Sequence, residues 1–487
     1  MRDPRRPLLR LALLSALSGC EDAPTAPRDA APDALATDAP ATDAPATDVL
    51  ATDAPTEPDV PAVPPTPWVR MFDASFLMTP AALAVAPDGT ACVAGDFQGD
   101  LRVSGQSVTS SGASDGFAAC FSPDGALRFL VATRFPGEDG FAAAALTPDG
   151  LVVAGQLPGP ATLGGVALST AGGIDTVLAR FDRAGRVVRA ITLGGAGTDQ
   201  PTAIAVDPRG HLLVTGSSDQ DLRAGGISLR NEGRNHAWLV ELDASLTVIR
   251  ARSFPAGFEA HATALHVAPD GAVTLGGHFS GSLRLGSASL GPTRAQDVFV
   301  ARILPDDRVA WAQRFGDGAD DRLHDLAVAP DGSVYLAGSS GIGRFAFGSD
   351  AFMVEGASDG WLARVAPDGA PSWARRVGGS GDDRALSILA DATGGAVVGR
   401  FDRALDLGGA GLMSAGASDG WRARFDPSGA LRPVARYGGE GPDVATRVAA
   451  APGGSVTLGS FAGSAEVAGE TLRTVGIGGA FLHRAVE

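Results

Sequence analysis

Residues Ala329-Pro330-Asp331-Gly332-Ser333-Val334-Tyr335-Leu336-Ala337-Gly338 run from one apolar segment through a tight turn into another, and the same turn recurs along the chain. Its glycine returns at Gly89, Gly150, Gly210, Gly271, Gly332, Gly394 and Gly454, at successive spacings of 61, 60, 61, 61, 62 and 60 residues. In most of these turns proline presets one residue and glycine supplies the positive φ another needs, as in Pro87-Asp88-Gly89. A constant period of this size marks a repeat unit too small to bury its own apolar face. The fifth unit reads as four strands, at 325–329, 334–337, 360–365 and 372–377. Four short antiparallel strands per unit, seven times over, predict an all-β, seven-bladed β-propeller of four-stranded blades.

The two ends of the repeat region support a closed ring. The seventh unit stops at Phe481-Leu482-His483-Arg484-Ala485-Val486 without a fourth strand, while Trp68-Val69-Arg70-Met71-Phe72 precedes the first unit and matches the fourth strand Trp311-Ala312-Gln313-Arg314-Phe315. The N-terminal strand is therefore expected to complete the last blade beside residues 480–486, leaving no open edge. Composition agrees: 66 Gly, 33 Pro and 6 % aromatic residues suit many short strands broken by turns.

The turn and strand at 330–338, then Ser358-Asp359-Gly360-Trp361, then Trp373 and Gly378-Gly379-Ser380-Gly381-Asp382-Asp383 resemble the SBBP-type β-propeller repeats of large exported bacterial proteins. The resemblance covers residues 67–487 and implies the fold rather than an activity, because propellers carry lyases, dehydrogenases and pure binding scaffolds alike. The third unit departs most, with Asn235-His236-Ala237-Trp238 where others have Asp-Gly and Ala256-Gly257-Phe258-Glu259 where others have Gly-Asp-Asp.

Ahead of the repeats, Arg2, Arg5, Arg6 and Arg10 surround a short apolar run at 8–17, followed by Leu17-Ser18-Gly19-Cys20. The run is too short to span a membrane and reads as a secretory signal, 1–19. The last four residues resemble a bacterial lipobox, which implies cleavage before Cys20 and lipidation of its sulfur. Arg5-Arg6 also resembles a twin-arginine signal. Residues 20–66 repeat Ala-Thr-Asp-Ala-Pro and read as a disordered, extended tether able to reach on the order of 100 Å. The chain is thus expected at the bacterial cell envelope, membrane-anchored through lipid.

Charge and chemistry narrow the function classes. The net charge of −16 is largely in the tether, since residues 21–60 hold ten acids against Arg28. Phosphate backbones require clustered cations, so nucleic acid is not an expected partner. The chain has no Lys, which removes Schiff-base chemistry and a P-loop. Gly112-Ala113-Ser114-Asp115-Gly116 matches a nucleophile elbow, but the same five residues recur at 356–360 and 416–420 and lead into strands, so they read as turns. Cys92 and Cys120, each unique at its repeat position, are expected to form a cross-strand disulfide.

The acidic turns, with Asp320-Asp321 and Asp382-Asp383 the fullest, together with Asp115, Asp175, Asp199, Asp297, Asp359, Asp419 and Asp443, offer carboxylates on one loop face. Calcium is a candidate there, against ordinary turn capping. His236, His261, His278 and His324 are placed on the same face and are weak candidates for a transition-metal site. No other cofactor is expected. The leading reading is a monomeric, non-catalytic scaffold that binds a protein or glycan partner through the long 96–116 and 278–297 loops. The alternatives are a metal-dependent lyase or lactonase at the central opening, and a structural envelope protein. Trp238, Trp311, Trp361, Trp373 and Trp421 read as blade packing.

Overall fold

The computed structural model describes residues 66–409 and 411–486, so the signal, Cys20 and the tether lie outside the described residues. Seven four-stranded antiparallel blades close into a ring. Blade five is the pattern for the rest: Asp321–Val328 innermost, then Val334–Gly341, Ser358–Val365 and Pro371–Val377 outermost. Its first strand begins four residues earlier than the sequence suggests, because the acidic turn is itself drawn into the sheet. The other inner strands are Met78–Val85, Gly140–Thr147, Asp199–Val206, Glu259–Val267, Arg384–Asp391 and Val444–Ala451, for blades one to four, six and seven.

Blade seven is made from both ends of the repeat region. Trp68–Ala74 pairs antiparallel with the last strand, in a register running from Trp68↔Arg484 to Ala74↔Gly478. The Trp68 indole N–H donates to the Pro123 carbonyl of blade one at 3.0 Å. Trp311 makes the same bond from blade four to Pro367 of blade five, and Trp373 from blade five to Pro427 of blade six. The closing strand therefore docks on its neighbour as an ordinary fourth strand does.

Burial explains why a blade cannot stand alone. Seven apolar clusters are found among the described residues, each drawn from two adjacent blades; one, for example, joins Phe72, Leu458 and Leu482 of blade seven to Met78, Val93 and Phe117 of blade one. Trp238, Trp361 and Trp421 are fully buried within these interfaces. In blade one Cys92 lies directly opposite Cys120, with Cα atoms 4.1 Å apart, and the two sulfurs are joined in a disulfide.

The long second-to-third connections are not free loops. Within 96–116, Asp100–Val103 and Gln106–Thr109 form a hairpin whose first strand pairs with Phe72, Asp73 and Ala74 of blade seven. In blade four the 278–297 stretch continues the strands themselves, Val273–Leu285 and Ala288–Ile303. The cause is the bare edge of an outermost strand: as at blades seven and two, a hairpin from the next blade covers part of it and supplies hydrogen-bond partners. These segments are therefore spent on joining blades.

A candidate binding site at the axial opening

Every inner strand breaks register at the same place, leaving one unpaired residue: Ala81, Ala142, Thr202, Thr263, His324, Leu386 and Thr446. A bulge bends its strand and re-aims the side chains beside it. The next residues are Ala82, Ala143, Ala203 and Ala264 in blades one to four, then Asp325, Ser387 and Arg447 in blades five to seven.

These three polar residues interact from blade to blade. The Ser387 hydroxyl donates to Asp325 Oδ2 at 2.7 Å, the Ile388 amide to the same oxygen at 3.1 Å, and the Leu326 amide to Oδ1 at 2.9 Å. Ser387 Oγ in turn accepts from the Val448 amide of blade seven at 3.2 Å. Arg447 donates to the Thr446 carbonyl at 2.9 Å. Burial raises the Asp325 pKa and lowers that of Arg447, and in each case the charge of the other opposes the shift. Both residues are half-buried.

Above this level, two residues before each bulge, the ring reads Thr79, Gly140, Gln200, His261, Arg322, Arg384 and Val444. His261 stacks on His278 with ring centroids 5.3 Å apart, and its Nδ1 meets Ser217 Oγ at 3.1 Å. His324 Nε2 meets Ser339 Oγ at 2.9 Å. Burial pushes His278 down to about 3 and His324 to about 4; lesser contributions come from His261 and Arg322 at the first, and from Arg384, Arg447 and Arg322 at the second. Both imidazoles are neutral at physiological pH. Arg322 Nε donates to the Gln296 side-chain oxygen at 2.9 Å rather than to a carboxylate. Arg384 pairs with Asp382, which also contacts Arg400 and the Ser358 hydroxyl. A recess lined by Gln200, Ser217, Arg234, Asn235 and His261 opens beside the mouth.

Of the histidines singled out from sequence, His261, His278 and His324 are brought together. His236 is not: it is fully buried at the start of a third strand, with neither ring nitrogen hydrogen-bonded. Asp321 and Asp383 are buried between blades, whereas Asp320 and Asp382 lie nearer the surface. Among the described residues, Asp207, His211 and Glu241 form the one group of three metal-ligating side chains whose ligand atoms fall within 4.8 Å of each other. It stands by the first turn of blade three and went unnoticed in the sequence. Its carboxylates are already held: Arg209 reaches both Asp207 and Glu241, and Arg250 also binds Glu241. Burial tends to raise the Asp207 pKa, but the His211 amide and Arg209 outweigh it and hold the carboxyl below its usual range. That arrangement is an ion-pair network whose acceptors are occupied.

The missed residues Asp325, Ser387 and Arg447 did carry a signal. They stand in one repeat column with four alanines, at the same spacings as the turn glycines.

No protein-family model matches the sequence, and no curated protein matches it. Solved structures similar to it include Sqt1 from Chaetomium thermophilum, at 13 % identity and TM-score 0.40, covering 85 % of this chain and 98 % of that one. An ulvan lyase of polysaccharide lyase family PL25 is similar at 11 % identity and TM-score 0.42, covering 82 % and 93 %. A putative 6-phosphogluconolactonase from Bacteroides fragilis is similar at 12 % and 0.40, covering 75 % and 93 %.

Proposed function

We propose that this chain is a non-catalytic binding propeller, lipid-anchored at the bacterial cell envelope through Cys20, whose axial opening takes an anionic group of a glycan or protein partner. The observation that supports this most is Arg447, a half-buried guanidinium at the axis that forms no ion pair with a carboxylate among the described residues and feels Asp325 through its charge alone. A cation partly withdrawn from water, on which a carboxylate acts only from beyond contact distance, is stabilised by an anion that reaches it directly. Arg322 and Arg384 stand above it, and the neutral rings of His278 and His324 leave those cations without competing imidazolium charge. The one carboxylate at that level, Asp325, accepts three hydrogen bonds, which suits it to positioning its neighbours more than to abstracting a proton.

The test is binding of the full chain to oligogalacturonate, to an acidic peptide and to neutral dextran. Retention of an anionic probe that falls at least tenfold in Arg447→Ala, and falls with added salt, is the expected result. Equal binding by the variant, or retention of dextran alone, overturns the reading. The anchor is checked separately: Cys20→Ser is expected to move the protein from the membrane to the soluble fraction.

A further inference from the structure

Adjacent blades meet at a second polar feature, away from the axis. The third strand of one blade and the first strand of the next are tied by backbone bonds, as from the Asp139 amide to the Ser114 carbonyl at 3.0 Å and from the Asp443 amide to the Ser418 carbonyl at 2.8 Å. This places two aspartates side by side at four interfaces, Asp115 with Asp139, Asp175 with Asp199, Asp359 with Asp383, and Asp419 with Asp443. At a fifth, Asp297 and Asp321 both lie within 3 Å of where a Cβ at Gly316 would stand. All ten are at most 4 % exposed. At the other two interfaces both partners are replaced together, His236 facing Ala260 and Gly479 facing Met78.

In four of the five pairs a backbone amide holds an oxygen of each carboxyl. Amides hold both oxygens of Asp383 and of Asp443, whereas neither oxygen of Asp321 is hydrogen-bonded. Asp419 Oδ2 accepts from the Ala415 amide at 2.9 Å and Asp443 Oδ2 from the Gly439 amide at 2.7 Å. In all five pairs the Oδ1 of the first aspartate has no hydrogen-bond partner. A glycine marks where the two carboxyls converge: a Cβ at Gly438 would lie 2.7 Å from Asp419 Oδ1 and 2.7 Å from Asp443 Oδ2. Two ionised carboxylates so close and so buried repel each other strongly unless a proton or a cation lies between them.

We propose that each pair is an acid–carboxylate clamp, in which one proton is shared between the unpartnered oxygen of the first aspartate and the facing carboxyl of the second, joining adjacent blades. Loss of that proton to solvent leaves two buried anions and loosens the interface. The charged groups around the pairs fit this. Arg314, Arg376 and Arg436 from the fourth strands each contact one first aspartate, leaving a single net negative charge there for the proton to neutralise. Asp219, Glu355, Asp402 and, beside Asp321, Asp320 add negative charge near their pairs and favour retaining the proton. Burial first, and the facing carboxylate among the lesser causes, raise Asp139, Asp321 and Asp443 to about 7 and Asp199 and Asp383 to about 6. A raised folded-state pKa gives stability that is full below the unfolded value and is lost as pH rises through the folded one.

Urea unfolding of the full chain from pH 4 to 8.5 tests this with Asp419→Asn and Asp139→Asn, because Asp419 Oδ1 and Asp139 Oδ2 accept no hydrogen bond, whereas both oxygens of Asp443 accept backbone amides. The amide can donate permanently where the proton is shared. Relative to either variant, the wild-type unfolding constant should climb about tenfold per pH unit up to the upper pKa, and the variants should be the more stable at pH 8. Variants that follow the wild-type pH dependence overturn the clamp. So does a wild-type midpoint at pH 7.5 that rises with calcium and falls with a chelator, the mark of a bound cation. If the variants do not fold, the wild-type infrared spectrum decides: a protonated-carboxyl band that persists at pH 6 and fades by pH 8.5 supports the clamp, and its absence at pH 6 overturns it.

Discussion

Blades one to four and blades five to seven share the same inner-strand bulge, yet the residue after it is alanine in the first group and Asp325, Ser387 or Arg447 in the second. In the alanine arc the residue after the bulge is apolar, and the blades are tied by other bonds, among them those from the Thr202 hydroxyl to the Ala262 carbonyl at 2.6 Å and from the Thr263 hydroxyl to the Leu323 carbonyl at 2.9 Å, with the Cys92–Cys120 disulfide inside blade one. In the polar arc the Ser387 hydroxyl and the Ile388 amide bond the half-buried Asp325 carboxylate, the Val448 amide bonds Ser387, and Arg447 acts on Asp325 through its charge. Packing alone closes a ring, so the polar arc is where this propeller departs from what closure requires.

That contrast can be broken from either side. On the alanine arc, Cys92→Ser with Cys120→Ser is expected to lower stability by about 2–4 kcal/mol, read from the urea midpoint, with binding of anionic probes unchanged. On the polar arc, Asp325→Ala leaves the Ser387 hydroxyl and the Ile388 amide without their acceptor and removes the negative charge that acts on Arg447. A loss of about 2–3 kcal/mol is expected, again from the urea midpoint. Replacing Asp325, Ser387 and Arg447 together by alanine copies the other arc. Stability should return to within about 1–2 kcal/mol of wild type while anionic binding is abolished, because removing a whole buried polar set costs less than orphaning part of it. A triple variant less stable than Asp325→Ala would mean that the polar arc holds the ring together. The smallest effect is expected for Ser387→Ala, about 1 kcal/mol, with Arg447-dependent binding retained.

The ring itself was legible in the residues. Turn glycines at a fixed period and a Trp68 strand resembling the other fourth strands sufficed, because both signals are local and are repeated seven times. The disulfide partners were legible for the same reason, each being the exception in its column. The site was less so. His261, His278 and His324 could be placed on one face, but His236 could not be separated from them, since one residue of register decides whether a side chain meets the axis or the blade interface. The aspartates of the acidic turns read as open loop carboxylates. Their burial depends on pairing between one blade's third strand and the next blade's first, a contact that no single repeat contains. Asp325 and Arg447 lie 122 positions apart and sense each other only across a closed ring.

The pairing of Trp68 with Arg484 also sets an order of events in folding. Blades one to six can each form from contiguous chain, but the seventh needs its earliest and latest segments at once. Until the last strand arrives, 68–74 is an unpaired apolar edge, and bringing it home means closing a loop of some 400 residues. Contacts that distant form slowly, and a waiting edge strand is a ready template for another copy of the same chain. Ring closure should therefore be the slow step, and the one most sensitive to protein concentration during refolding.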